Sequence, residues 1–124
     1  MSKKVLIVDD FIEYAQLLQK KLKSEGFTAL LAPDAETGLG LARTEGPDLI
    51  VMDIMMPGMG GTEARAELLK DPATKDIPVI FLTGLRSPHS KKKPTAGVKT
   101  IGKSNDIREL LDAIYEAIGR PAKS

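Results

Sequence analysis

The feature that most constrains the fold is the stretch Leu49–Asp53, four consecutive apolar residues that end in an aspartate. Such a run is typical of a strand buried on both faces of a parallel sheet. Because a carboxylate is costly to bury, we expect Asp53 where this strand reaches the surface. Pro57-Gly58 then predicts a turn, since proline fixes φ and glycine permits positive φ. Taken alone, the stretch is compatible with a carboxylate presented at a ligand-binding sheet edge or with one that only caps the turn.

The composition is that of one globular domain. The chain has 124 residues, of which 42% are hydrophobic and 28% charged, enough for one hydrophobic core. A formal net charge of +1 gives no reason to expect a nucleic-acid partner. The absence of cysteine excludes disulfides, thiolate zinc sites and cysteine nucleophiles. The first apolar run, residues 5–8, is too short for a signal peptide or a membrane span, so we expect a cytoplasmic protein.

Apolar strands and amphipathic helices alternate along the chain. Strands are predicted at residues 5–8, 27–31, 49–53, 78–83 and 98–101, and helices at residues 11–25, 34–46, 64–69 and 106–118. The predicted helix caps are Asp9 or Asp10, Asp34, Thr62, and Ser104 or Asn105. This alternation predicts an α/β fold with a doubly wound, five-stranded parallel sheet between two helical layers.

The fourth helix of that alternation is the weak place in the pattern. Residues 85–97 contain two prolines and no apolar stripe, so we expect this helix to be short or missing. No composition shift marks a domain boundary. The sequence therefore predicts a single domain over residues 1–124, with its core at about residues 4–118 and a tail at residues 119–124.

Polar side chains follow the carboxyl ends of the predicted strands: Asp9 and Asp10, Asp53, Thr83 and Lys103. Because parallel strands end at one edge of a sheet, these side chains are expected to converge. Carboxylates a few ångströms apart repel by about 4 kcal/mol per pair at an effective dielectric near 20, and a hard divalent cation such as Mg²⁺ relieves this. The lysine and threonine suit the oxygens of a phosphoryl group, which the Asp53 carboxylate is placed to attack.

This constellation resembles the receiver domain of two-component response regulators, a flavodoxin-like fold, over nearly the whole chain. The motifs that carry the resemblance are Val8-Asp9-Asp10, Asp53-Ile54-Met55-Met56-Pro57-Gly58, Thr83-Gly84 and Lys103. The resemblance implies that Asp53 accepts phosphate from a phosphohistidine on a sensor histidine kinase or a phosphotransfer protein. It also implies a phosphoacceptor that catalyses its own phosphorylation, not an enzyme acting on a separate substrate.

The resemblance further assigns a role to each site residue. Asp10 and Asp53 would hold Mg²⁺ together with the backbone carbonyl of Met55, and Asp9 would act mainly through water. Thr83 would move to bond the phosphoryl group, and Lys103 would pair with it. We expect a stand-alone receiver, a monomer or weak dimer, which switches its interaction with a downstream protein target that the sequence does not identify.

Several positions depart from the family pattern on the side that reads the phosphate. Ser104 follows the lysine where the family has proline, Thr100 occupies the place of an aromatic switch residue, and Gly60-Gly61 replaces Asp-Gly. We therefore expect any signal to be read through residues 85–97 becoming ordered or disordered, or not at that face. Met55 and Leu85 occupy the positions that flank the hydrolytic water in the family, and both are apolar. The phosphorylated protein is therefore expected to dephosphorylate itself slowly.

Two other classes of function compete with this interpretation. A pseudo-receiver would be a protein-interaction module that works without phosphorylation, and its mark would be the loss of an aspartate or the lysine, neither of which is lost here. A phosphatase resembling the haloacid dehalogenases would carry a second aspartate two residues after the nucleophile. That position is Met55, which counts against the enzyme.

Overall fold

The computed structural model describes residues 3–84, 98–104 and 106–120. In these ranges it contains five strands and four helices, in the order β1 Lys4–Val8, α1 Ile12–Ser24, β2 Thr28–Ala32, α2 Ala35–Glu45, β3 Leu49–Asp53, α3 Gly61–Lys70, β4 Val79–Thr83, β5 Thr100–Gly102 and α4 Arg108–Ile118. The short or missing helix expected at residues 85–97 lies outside the described residues, as does the end of the tail. No helix among the described residues is both long and apolar enough to span a membrane.

All five strands are parallel and lie in the order β2-β1-β3-β4-β5. The chain moves outward from β1 to β2, returns to β3 and then continues to the other edge. Strand order thus reverses between β1 and β3, and a crevice opens there at the carboxyl ends of the strands. The predicted doubly wound, flavodoxin-like sheet is confirmed.

Alternate strand residues pack on opposite faces of the sheet, as the two-residue period of a strand requires. One core joins α1 and α4 and contains the strand residues Val5, Ile7, Leu49, Val51, Ile80 and Leu82. The other joins α2 and α3 and contains Leu6, Val8, Ile50, Met52 and Phe81. Asp9 and Asp53 continue the first of these alternations, so the strand period directs both toward the face that α1 covers.

The predicted helix caps held only in part. Asp34 caps α2 as expected, since its Oδ1 accepts a 2.7 Å hydrogen bond from the backbone N–H of Thr37. Thr62 was the wrong residue for α3, because the helix begins at Gly61 and Gly60 is its N-cap. The Gly61 N–H donates to the Ile54 carbonyl at 2.9 Å, which fixes the start of the helix against the end of β3.

The caps predicted for the first and last helices were also wrong. Phe11 is the N-cap of α1, and the Asp9 carboxylate accepts a hydrogen bond from Phe11 itself instead of from the first turn. At α4 the helix begins at Arg108, and Ser104 accepts from the Asp106 N–H in the preceding loop. The alternative cap, Asn105, lies outside the described residues.

Candidate active site

Three carboxylates meet at the crevice between β1 and β3. Asp9 and Asp10 follow β1 and Asp53 ends β3, and one oxygen of each lies within 4.8 Å of the others. The parallel register pairs Val8 with Met52, which places the next residue of each strand side by side. Asp9 is fully buried and Asp53 is 4% exposed, whereas Asp10 faces solvent. The structure therefore brings together the three acidic residues that the sequence singled out.

Lys103 joins this group from the end of β5, at the edge of the sheet. Its Nζ lies 3.0 Å from Asp9 Oδ1 and 2.9 Å from Asp9 Oδ2, and it contacts Asp53 Oδ2 at 3.2 Å. The backbone N–H of Lys103 donates to the Thr83 carbonyl at 2.8 Å, which continues the pairing of β4 with β5. Lys103 is thus held at both ends: its main chain is bonded to β4, and its ammonium contacts two carboxylates.

Thr83 and Met55 lie at the ends of the central strands. Thr83 is the half-buried last residue of β4, and the carbonyl of its neighbour Leu82 accepts a 3.0 Å hydrogen bond from the Ile54 N–H. Met55 follows two residues after Asp53, and its N–H donates to Asp53 Oδ1 at 3.3 Å. The Met55 side chain is 63% exposed, so it borders the carboxylates from the solvent side.

The electrostatics of the crevice favour a proton on Asp53. Burial, followed by the negative charge of Asp9, raises the pKa of Asp53 from 3.8 to about 6, although Lys103 acts in the opposite sense. Burial opposes the charge of Lys103, but the carboxylates of Asp9 and Asp53 outweigh it and raise the pKa of the ammonium. Asp53 therefore takes up a proton more readily than a free aspartate does, whereas the Lys103 ammonium holds its proton more tightly.

The residues present fit a hard divalent cation. Asp9 Oδ2 is buried and accepts no hydrogen bond from the described part of the chain, although Lys103 Nζ lies 2.9 Å away. The donor atoms are all oxygens, and the excess negative charge is concentrated within a few ångströms. Mg²⁺ prefers carboxylate oxygens and keeps several waters, which suits a crevice with one exposed and two buried aspartates.

Two aromatic residues at the site were missed by the sequence analysis. The ring of Tyr14 lies 5.3 Å from Lys103 Nζ and the ring of Phe11 lies 5.8 Å from it, measured to the ring centres. Both residues belong to the start of α1, directly after the acidic pair. The sequence could have drawn attention to them because aromatic residues are rare in it: the chain has only three phenylalanines and two tyrosines.

The sequence is similar to those of known proteins. Residues 5–115 match the family described as the response regulator receiver domain. PilH of Pseudomonas aeruginosa is 42% identical over 80 residues, which cover 64% of this chain and 66% of PilH. The response regulator PleD of Caulobacter vibrioides is 41% identical over 85 residues, 68% of this chain. The matched region spans only 19% of PleD, so the chain corresponds to a fraction of that protein's length.

Solved structures show the same architecture. The chemotaxis protein CheY4 of Vibrio cholerae superimposes with a TM-score of 0.84 at 28% identity, and the match covers 95% of this chain and 100% of CheY4. The response regulator TrrA of Thermotoga maritima, whose structure was solved in complex with Mg²⁺ and BeF, gives a TM-score of 0.82 at 30% identity. That match covers 94% of this chain and 99% of TrrA.

Proposed function

The chain belongs to the response regulator receiver family, and on this premise we propose that Asp53 accepts a phosphoryl group from a phosphohistidine on a sensor histidine kinase or phosphotransfer protein. The observation that carries the proposal is the geometry around Asp53. This carboxylate ends a buried strand beside Asp9 and Asp10, and Lys103 Nζ lies 3.2 Å from its Oδ2. A nucleophile, a charged partner and a group of metal-binding oxygens thus share one crevice.

In the proposed transfer, a carboxylate oxygen of Asp53 attacks the phosphorus of the phosphohistidine. The bond from phosphorus to oxygen forms as the phosphorus–nitrogen bond breaks, and the leaving imidazole keeps the electron pair. Asp10, Asp53 and the backbone carbonyl of Met55 would hold Mg²⁺, with Asp9 acting through water. The bound ion supplies positive charge that neutralises the phosphoryl oxygens.

Lys103 and Thr83 act on the phosphoryl group in this proposal. The Lys103 ammonium exchanges its carboxylate partners for a phosphoryl oxygen, which stabilises the charge on the transferred group. The Thr83 hydroxyl donates a hydrogen bond to a second oxygen. The product is a phosphorylated receiver that changes its interaction with a downstream protein, as a cytoplasmic monomer or weak dimer.

The proposal is tested by exposing the protein to acetyl phosphate with and without Mg²⁺ and measuring its intact mass. We expect one added phosphoryl group that requires Mg²⁺ and is absent from Asp53→Asn. Asp112→Asn, which makes the same chemical change at an exposed position on α4, is the matched control and should label like the wild type. No label on the wild type in Mg²⁺ would contradict the proposal and favour a pseudo-receiver.

The lifetime of the phosphoryl group is a second consequence of the site. Met55 is exposed beside Asp53 and is unable to orient a hydrolytic water, so we expect the acyl phosphate to persist for many minutes. Met55→Asn supplies an amide at this position and should speed hydrolysis by about tenfold, because a polar group that positions the attacking water lowers the barrier. The decay is followed by intact mass after the donor is removed. A wild-type lifetime of seconds would refute the expectation.

A further inference from the structure

The Lys103 ammonium has two kinds of partner in this structure. Two are carboxylates, Asp9 and Asp53, at 2.9 to 3.2 Å. The others are the ring faces of Tyr14 and Phe11, whose centres lie 5.3 and 5.8 Å from Nζ, within the range of a cation–π interaction. The Lys103 side chain is only 15% exposed, so these contacts are largely shielded from solvent.

The carboxylate partners are not available to Lys103 throughout the proposed reaction. The Asp9 and Asp53 side chains that contact the ammonium belong to the same group of carboxylates that fits a divalent cation. A cation held there would neutralise these carboxylates and repel the ammonium. Lysine has a long flexible side chain that gains rotamer entropy when it leaves a contact for solvent. Until a phosphoryl group is in place, Lys103 therefore needs a partner that the metal does not also bind.

We propose that Tyr14 is the positioning residue that keeps the Lys103 ammonium at the site when the carboxylates turn to the metal. This inference rests on the proposed phosphoryl transfer to Asp53. The ring face attracts the ammonium but has no oxygen with which to bind the metal. It can therefore hold Lys103 while the aspartates bind the metal. Phe11 makes a longer and more exposed contact with the same ammonium and is secondary, since its side chain is 56% exposed.

The surroundings of Tyr14 fix its ring in place. It lies in the first turns of α1, next to the buried Ala15 that anchors the helix on the sheet. Burial raises the pKa of Tyr14, although the backbone amide of Ser104 favours its phenolate form. Ser104 can supply this amide because, unlike a proline, it has a backbone N–H. The tyrosine thus lies between α1 and the loop that carries Lys103.

The contact is tested first without any phosphorylation, by proton NMR of the Lys103 Hε resonances, assigned with Lys103→Arg. A lysine over a ring face is shifted upfield by the ring current. We expect this shift in the Mg²⁺-free protein and expect it to persist with Mg²⁺ and beryllofluoride. Tyr14→Phe should keep the shift and Tyr14→Leu should lose it. An unchanged shift in Tyr14→Leu, or its loss in the wild type when Mg²⁺ and beryllofluoride bind, would overturn the proposal.

The consequence for transfer is tested by the rate of labelling with acetyl phosphate at saturating Mg²⁺. Tyr14→Leu should label about tenfold more slowly, as the loss of a desolvated cation–π contact implies, and Tyr14→Phe should stay within about twofold of the wild type. In a Lys103→Ala background, Tyr14→Leu should have no further effect. An equal loss in that background would show a structural role, and an equal loss in Tyr14→Phe would assign the effect to the hydroxyl.

A matched control separates this inference from a general loss of structure. Tyr115→Leu removes the chain's other tyrosine, which stacks on Phe27 and hydrogen-bonds Glu25 away from the crevice. It should label at the wild-type rate. If the wild type itself takes no label, the proposed phosphorylation fails, while the Lys103 proton shifts still decide whether the ring holds the ammonium.

Discussion

The β1–β3 and β4–β5 halves of the sheet differ in the length and the burial of their strands. The β1–β3 half rests on two five-residue strands, and every residue of β3 is buried. The β4–β5 half ends in a three-residue strand, and the Thr100 hydroxyl there is buried without a hydrogen-bond partner among the described residues. The half that holds the acidic residues is thus the more regular one.

In the proposed function, the residues that accept the phosphoryl group lie in the β1–β3 half. The residues expected to transmit the signal lie in the β4–β5 half. Asp9, Asp10 and Asp53 depend on the register of β1 and β3, which Thr100 and Ser104 do not touch. Departures from the family pattern on the β4–β5 half therefore leave the acidic group intact. In the proposed function, Lys103 is the link between the halves, because its backbone belongs to one and its ammonium to the other.

The largest expected effect is a loss of stability in the β1–β3 half. A Cβ on Gly61 would lie 2.4 Å from the Asp53 carbonyl oxygen, so Gly61→Ala must push α3 away from β3. We expect a loss of about 3 kcal/mol in the free energy of unfolding, typical of severe overpacking. Gly40→Ala is the matched control, because a Cβ there meets nothing within 4 Å and should add up to about 1 kcal/mol of helix stability.

Urea unfolding of the two variants measures both effects. Similar free energies for Gly61→Ala and Gly40→Ala would show that α3 adjusts its distance from the strand without cost. The contrast would then no longer support a rigid β1–β3 half.

A smaller effect on the free energy of unfolding tests the electrostatics of the β1–β3 half. The pKa of Asp53 is raised from 3.8 to about 6, so the folded protein binds this proton more tightly than the unfolded chain does. Stability from this group is therefore present below about pH 4 and is lost as the pH rises through 6. Asp53→Asn does not ionise, and we expect it to be more stable than the wild type by about 2 kcal/mol near pH 7.5.

The pH dependence is the decisive part of this measurement. Thermal or urea unfolding without Mg²⁺ should show the advantage of Asp53→Asn shrinking toward zero near pH 4. Asp112→Asn makes the same substitution at an exposed position of α4, and it measures the effect of an asparagine outside the crevice. An advantage of equal size at both pH values would mean that packing, and not ionisation, separates the variant from the wild type.

The sequence was sufficient for features that depend on local pattern. Apolar runs that end in aspartate predicted the strands and the edge where Asp9 and Asp53 lie. Asp34 was a correct cap because a cap involves only its own first turn. Thr62 was a wrong one because the start of α3 is fixed by the Ile54 carbonyl on another element, and only glycine fits there. That constraint is tertiary and leaves no periodic signal.

The same limit explains the residues missed at the candidate site. Carboxylates and lysines can be recognised as candidate site residues from their residue type alone. The role of an aromatic ring depends on which group packs against its face. Tyr14 and Lys103 come from opposite ends of the chain and meet only where the start of α1 approaches the residue that follows β5. The unpartnered hydroxyl of Thr100 is likewise a property of its neighbours and not of the residue type.

The smallest expected effect tests the β4–β5 half. Thr100→Val removes a buried hydroxyl that has no partner among the described residues, so we expect a gain of about 1 kcal/mol in the free energy of unfolding. Thr28→Val makes the same change at an exposed position of β2 and should shift stability by less than about 0.5 kcal/mol. Labelling of Thr100→Val by acetyl phosphate should stay within about twofold of the wild type, since Thr100 lies outside the acidic group. A stabilised variant that labels normally would show that this half tolerates change without loss of the acceptor chemistry, whereas slower labelling would show that the two halves are coupled.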